Sequence, residues 1–355
     1  MSVASGLGLT GVEEVLTAAG EPVRHVLGAV EQRLAEIVAE GGARLARPAG
    51  STISAGGKRL RPLLVLLAAP PRSATNGAGA RGRDGRAGAG ARGEDTALVR
   101  AAVAVELVHS ATLVHDDILD GAVLRRGRST VVATAGRQTA VATGDFMFSR
   151  AFAELAANER PDQLRALAAA TAALARGELR QREDAWQVVS VPRYLERCAL
   201  KTASLFEASC QLGALAGSPS QNERTPALAA GLGLFGQRLG VAFQILDDVL
   251  DVEGPPERTG KRRGADLIDG TVNLPLILAR RRDPDLAALD VRSLCDPAAA
   301  EEACRKIAAS GALEQARGHA LGLVSEAKEQ LSRELPDPQR QLLDLVADGV
   351  VQRFA

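Results

Sequence analysis

The chain has 355 residues, 46% of them hydrophobic, and its 43 Lys plus Arg are balanced by 43 Asp plus Glu. That apolar share supplies a large core, and a net charge of zero argues against the basic face that nucleic-acid binding needs. Aromatics make up only 3% of the chain, while Ala, Leu and Val dominate, a mix that favours helix over sheet. The four cysteines, Cys198, Cys210, Cys295 and Cys304, form no C-x-x-C pair. Neither a zinc site nor a disulfide framework is therefore expected, and a reduced, cytoplasmic setting is. No basic stretch followed by an apolar core opens the chain, so no signal peptide is expected. No apolar run reaches the length of a transmembrane helix either.

Residues 11 to 47 read as helix, broken by Pro22 and ending before Pro48. Gly56-Gly57 marks a turn. Pro62 then falls in the first turn of a helix that runs towards Pro70-Pro71, a place where its missing N–H costs little. Residues 72 to 95 are rich in Gly, Ala and Arg and lack apolar periodicity, so they read as a flexible surface insertion. The alternative of an RNA-binding segment is weakened by the lack of aromatics there. Thr96 to Asp120 forms one long apolar helix, followed by a loop with Arg125-Arg126-Gly127. Further helices are predicted at 138 to 157, 162 to 185, 192 to 216, 225 to 252, 272 to 282, 297 to 309, 312 to 333 and 337 to 353. Breaks fall at Pro161, Pro192, Gly217-Ser218-Pro219 and Gly254-Pro255-Pro256. No alternating strand pattern stands out. Length alone suggests about two domains, but the all-α pattern and the paired acidic motifs favour one large helical domain.

Those motifs are Asp116-Asp117-Ile118-Leu119-Asp120 and Asp247-Asp248-Val249-Leu250-Asp251. Each reads Asp-Asp-x-x-Asp inside an apolar helical run, so Asp116 and Asp120 share a face, as do Asp247 and Asp251. Like charges at that spacing repel and weaken a bare helix. A single such cluster is equally a solvated acidic face. Two clusters with one spacing and aliphatic flanks call for cations, and hard divalent ions such as Mg²⁺ take oxygen ligands and bridge carboxylates to phosphates. His109, Thr112, Asp116 and Asp120 form one stripe. Gln244, Asp247, Asp248 and Asp251 form another. The pattern suits a substrate with a diphosphate head and a hydrocarbon tail.

Cations for that head group are available. Gly56-Gly57-Lys58-Arg59-Leu60-Arg61-Pro62 puts three of them at a glycine-softened helix start, where N–H groups also favour anions. Arg125-Arg126, Lys201-Thr202 and Lys261-Arg262-Arg263 add more, with Arg offering a planar fork to phosphate. Taken singly, each basic group reads more readily as a solvated surface charge, and His109 as an ordinary core histidine.

Six segments carry a resemblance: GGKRLRP at 56 to 62, ELVHSATLVHDDILD at 106 to 120, LRRG at 124 to 127, KT at 201 to 202, FQILDDVLD at 243 to 251 and GKRRGADLIDG at 260 to 270. In them the chain resembles the trans-isoprenyl diphosphate synthases, or polyprenyl synthetases, from about residue 20 to its end apart from 72 to 95. The resemblance implies a single polyprenyl synthetase domain over 1 to 355, folded as a helical bundle around a central cavity and paired as a homodimer. It implies Mg²⁺-dependent, head-to-tail condensation of an allylic diphosphate with isopentenyl diphosphate, using three ions per site. Asp116, Asp117, Asp120, Asp247, Asp248 and Asp251 would hold the ions, some through water. Arg125, Lys201, Thr202, Gln244 and Lys261 would hold the allylic diphosphate, with Asp116, Asp117, Asp120, Lys201, Asp247 and Asp248 as the catalytic set. Gly57, Lys58, Arg61, His109 and Arg126 would hold isopentenyl diphosphate. Thr271 departs from the pattern, since the family commonly carries Lys there.

Product length is implied in the same way. Bulky aromatics four and five residues before the first Asp act as a floor in short-chain members. Thr112 and Ala111 stand there, with Val108 a turn below, so a medium- or long-chain polyprenyl diphosphate is expected, released at a membrane surface. A short-chain synthase, a terpene cyclase and a silent synthase subunit are the competing readings. Cyclases usually carry an Asn/Ser/Glu motif on the second helix, and silent subunits tend to lose the Asp motifs. This chain has both clusters.

Overall fold

The structure is a computed structural model that describes residues 10–55, 57, 59–70, 89–125, 127–216, 225–254, 262–331 and 335–352. The fold is all-α apart from a two-stranded hairpin, Leu124–Arg125 paired antiparallel with Arg128–Ser129. Two-residue strands are too short to show alternation, which is why the sequence reads as loop there. Most of the insertion at 72 to 95 lies outside the described residues. Its last part belongs to the helix Ala89–Leu119, so helix begins earlier than the apolar periodicity indicates.

The chain divides into two compact units. The first comprises Met1–Ala169, Leu205–Gly236 and Leu331–Val346. Its central element is Ala89–Leu119, whose Ala101 to Val105, Leu107, Val108, Ala111 and Val114 expose no surface. Against it pack Thr10–Glu40, Gly42–Ser54, Leu60–Ala68 and Val131–Ala156. Helix continues through Pro48, contrary to expectation. An internal proline costs about 3 kcal/mol, and burial of Ala49 and Ile53 on that helix offsets it. The helix Val131–Ala156 is interrupted at Gly136, with φ at 79°. That break is where the sequence-based start at 138 falls.

Ser204–Ala216 crosses Leu60–Ala68 at glycine distance. A Cβ on Gly213 would lie 2.2 Å from the Val65 carbonyl oxygen and 2.9 Å from Ala68 Cβ. Neither atom can swing away as a side-chain tip would. Gly213→Ala is therefore expected to cost about 3 kcal/mol of stability by overpacking, read as a lower urea midpoint. An unchanged midpoint would mean the two helices separate freely.

The second unit comprises Ala170–Ser204, Gln237–Gln330 and Ala347–Ala355. The predicted helix at 192 to 216 is three pieces in the structure: Val191–Cys198, a π-turn at Ala199–Ala203, and Ser204–Ala216. The predicted helix at 272 to 282 narrows to Leu274–Ala279, capped by Asn273, whose side chain accepts from Leu276 N. Pro297–Ala309 has the predicted bounds. The Asp296 carboxylate starts it by accepting from Ala299 N, the usual N-cap bond. Pro284–Ala288 and the 3₁₀ turn Val291–Cys295 are too short to leave a periodic signal. Two stretches, Asp95–Leu119 and Thr225–Glu253, are long and apolar enough to cross a membrane by length and composition, contrary to the sequence reading. Most of each apolar window is instead buried within the protein.

Candidate active site

The first acidic cluster closes the helix Ala89–Leu119. Asp116 is half-buried, Asp117 buried and Asp120 exposed just past the last turn. The accessible stripe of this helix runs through His109, Thr112 and Asp116 to Asp120, as the spacing predicts. Thr112 donates its hydroxyl to the His109 carbonyl at 2.8 Å. Val108 and Ala111 lie on the packed side and expose nothing.

Asp117 points inward and is met by the hairpin. Arg125 Nε donates to Asp117 Oδ1 at 2.6 Å, and Gly127, at φ 74°, supplies the left-handed turn that folds the hairpin back. Burial pushes the Asp117 carboxyl up and the Asp120 charge adds to that, while Arg125 opposes it. Gly57 is exposed. Arg61 is half-buried, its guanidinium carbon 4.7 Å from the centroid of the Phe206 ring. Lys58, Arg126 and Lys261 lie outside the described residues.

The second cluster lies near the end of Thr225–Glu253. Asp247 and Asp251 are half-buried, and Asp248 is buried. Both oxygens of Asp248 are engaged: Tyr194 donates its hydroxyl to Oδ2 at 2.7 Å and Gln244 Nε2 donates to Oδ1 at 2.8 Å. Thr202 in turn donates to Gln244 Oε1 at 2.7 Å. The expected ligands Thr202, Gln244 and Asp248 thus form one hydrogen-bonded chain. Burial, with the Asp266 and Asp247 charges behind it, pushes the Asp248 carboxyl up to about 7 against those two donors.

Lys201 sits in the π-turn, a rare helical form often found at functional sites. Its ammonium pairs with Glu178 at 2.5 Å. Against the upward push of burial, Lys201 and Arg182 hold the Glu178 carboxyl below its ordinary value. Gly177 permits this approach, because a Cβ there would lie 2.5 Å from Lys201 N. Thr271 is half-buried and donates its N–H to the Asp266 carbonyl at 2.8 Å.

Sequence reasoning missed Tyr194 and Glu178. Tyr194 is the only tyrosine in the chain and is 1% exposed. A lone tyrosine in an aromatic-poor core was the available signal, since a buried hydroxyl needs a partner. Glu178 had none, being one carboxylate among many.

The donor set fits hard divalent cations. Each cluster buries one carboxyl whose charge burial disfavours, and flanks it with carboxylates that remain reachable. Cations at that position would restore the ionised form. Among the described residues, no three His, Cys, Asp or Glu side chains are grouped to hold an ion alone. Mg²⁺ suits such a site, because it keeps waters and shares its remaining ligands with substrate phosphates.

Comparison with known proteins agrees with this chemistry. The family model described as Polyprenyl synthetase matches residues 43–309. Heptaprenyl diphosphate synthase component 2 of Geobacillus stearothermophilus is 39% identical over 255 residues, 71% of this chain and 72% of that protein. Decaprenyl-diphosphate synthase subunit 1 of Schizosaccharomyces pombe is 32% identical, covering 84% of this chain and 82% of its own length. The crystal structure of a polyprenyl synthase from Caulobacter crescentus, complexed with calcium and isoprenyl diphosphate, is similar at a TM-score of 0.80 with 32% identity. That match covers 97% of this chain and 98% of the other.

Proposed function

The chain belongs to the polyprenyl synthetase family and is a prenyltransferase, and from that premise we propose that it condenses isopentenyl diphosphate with an allylic diphosphate, head to tail, to a medium- or long-chain all-trans polyprenyl diphosphate. The observation that carries this reading is the pair of Asp-Asp-x-x-Asp helix ends, each with its middle carboxyl buried and held by a neighbouring donor.

Asp116, Asp117 and Asp120, with Asp247, Asp248 and Asp251, would hold Mg²⁺, about three ions per site by family resemblance. When bound, Mg²⁺ draws charge from the allylic diphosphate and so favours breaking its C–O bond. The residues divide the remaining work. Arg125, Lys201, Thr202, Gln244 and Lys261 hold the allylic diphosphate. Gly57, Lys58, Arg61, His109 and Arg126 hold isopentenyl diphosphate. Aliphatic walls exclude water from the allylic cation. The isopentenyl double bond supplies the electron pair for the new C–C bond, diphosphate leaves, and the released diphosphate takes the proton lost from the adduct. No protein nucleophile is needed.

Thr271 gives a direct test of the allylic subsite. Thr271→Lys is expected to lower KM for the allylic substrate by roughly three- to tenfold, the gain from one charge-assisted contact of about 1 kcal/mol. An unchanged KM would place residue 271 away from the head group.

A homodimer in the cytoplasm completes this reading. The relatives named as a component and a subunit motivate the alternative of a required second chain. One assay separates the readings: the purified chain, alone, with labelled isopentenyl diphosphate and farnesyl diphosphate, with and without EDTA. Incorporation that requires Mg²⁺ supports the proposal. No incorporation until a partner is added would favour the two-chain assembly. An unlabelled cyclic product formed from farnesyl diphosphate would favour a cyclase.

A further inference from the structure

The run Lys58-Arg59-Leu60-Arg61 holds three cations in four positions, and the structure sets Arg59 apart from Arg61. Arg59 has a left-handed backbone, φ 48° and ψ 35°, which costs a residue with a Cβ about 1 kcal/mol. Its carbonyl accepts from Leu63 N at 2.9 Å and so opens the helix Leu60–Ala68. Its guanidinium spends four of five N–H groups inside the protein. Nε donates to Glu31 Oε1 at 2.5 Å and Nη2 to Glu31 Oε2 at 3.1 Å. Nη1 donates to Glu106 Oε1 at 2.6 Å, and Nη2 also to the Ile53 carbonyl at 3.0 Å. These partners stand on three different helices, Thr10–Glu40, Gly42–Ser54 and Ala89–Leu119. Glu106 is 4% exposed and lies one helical turn before His109. A cation so occupied has little left for a substrate phosphate. The left-handed turn it stabilises fixes where Arg61, two residues on, leaves the backbone.

The geometry points to Arg59 as a positioning residue: its fork, closed on Glu31 and Glu106, sets the turn that starts Leu60–Ala68 and thereby aims Arg61 at the diphosphate of isopentenyl diphosphate. This rests on the reading that Arg61 binds that substrate. Arg59 itself touches no substrate and acts through the turn.

The experiment measures KM for each substrate, kcat and melting temperature for Arg59→Gln, Glu106→Gln, their double variant and Arg61→Ala. Arg61→Ala serves as the reference for the binding reading. Arg59→Gln is expected to raise KM for isopentenyl diphosphate by about tenfold, a cost typical of a misplaced binding group, while KM for the allylic substrate moves less than about twofold. Glu106→Gln should act in the same direction, and the double variant should be no worse than Arg59→Gln, as for two residues in one contact. Arg59→Lys, which retains the charge and loses the fork, should recover part of the effect. If Arg59→Gln fails to fold, Glu106→Gln and Arg59→Lys carry the same test through the same KM split. A raised KM in Arg61→Ala with both Arg59→Gln and Glu106→Gln unaffected would overturn the positioning role and leave the binding reading intact. So would a drop in melting temperature without a selective rise in that KM. An unaffected Arg61→Ala would overturn the binding reading, and the positioning role with it.

Discussion

Asp117→Ala and Asp247→Ala are each expected to lower turnover by roughly a thousandfold or more, the scale on which removing charge stabilisation at a reacting centre acts. The two residues differ in setting, and that makes the pair informative. Asp117 is buried and hydrogen-bonded to Arg125. Its loss removes a carboxylate and also frees the arginine expected to hold the allylic diphosphate. Asp247 is half-buried, beside the buried Asp248. Its loss leaves the Tyr194 and Gln244 bonds to Asp248 in place. Circular dichroism and melting curves should show both variants folded, and steady-state assays with Mg²⁺ should show both nearly inactive. Turnover near that of the parent in either folded variant would remove that cluster from the metal assignment.

Ala111→Phe is expected to shorten the product. Ala111 lies five residues before the first Asp and Thr112 four, where the resemblance implies that bulk would block the growing tail. Ala111 exposes no surface, whereas Thr112 is partly reachable. A phenyl ring at 111 must therefore displace packed neighbours, at a cost of about 1–3 kcal/mol, and on the proposed tail path the neighbours it displaces are those that line the tail. Chromatography of dephosphorylated products should show a ladder moved towards shorter chains, with diphosphate release maintained. An unshifted ladder from a folded variant would mean that the tail runs elsewhere.

The helix periodicities carried most of what was legible. The stripe from His109 to Asp120 and the bounds of Pro297–Ala309 follow from a 3.6-residue period and an Asp cap. Partners distant in sequence were not legible. Tyr194 reaches Asp248 across 54 positions, and no local pattern predicts that. Arg59 shows the limit most clearly. In sequence it is one of three like cations, and only its left-handed backbone and its bonds to Glu31 and Glu106 mark it off from Arg61. Pro48 misled for the opposite reason: a strong local helix breaker gave way to burial of Ala49 and Ile53.

The most direct test is the length of what the chain makes. The purified protein, incubated with farnesyl diphosphate, excess isopentenyl diphosphate and Mg²⁺, is assayed by reversed-phase chromatography of the dephosphorylated alcohols. A dominant all-trans polyprenol longer than geranylgeraniol is expected, and none when EDTA replaces Mg²⁺. A product no longer than geranylgeraniol, or elongation that persists in EDTA, would contradict it.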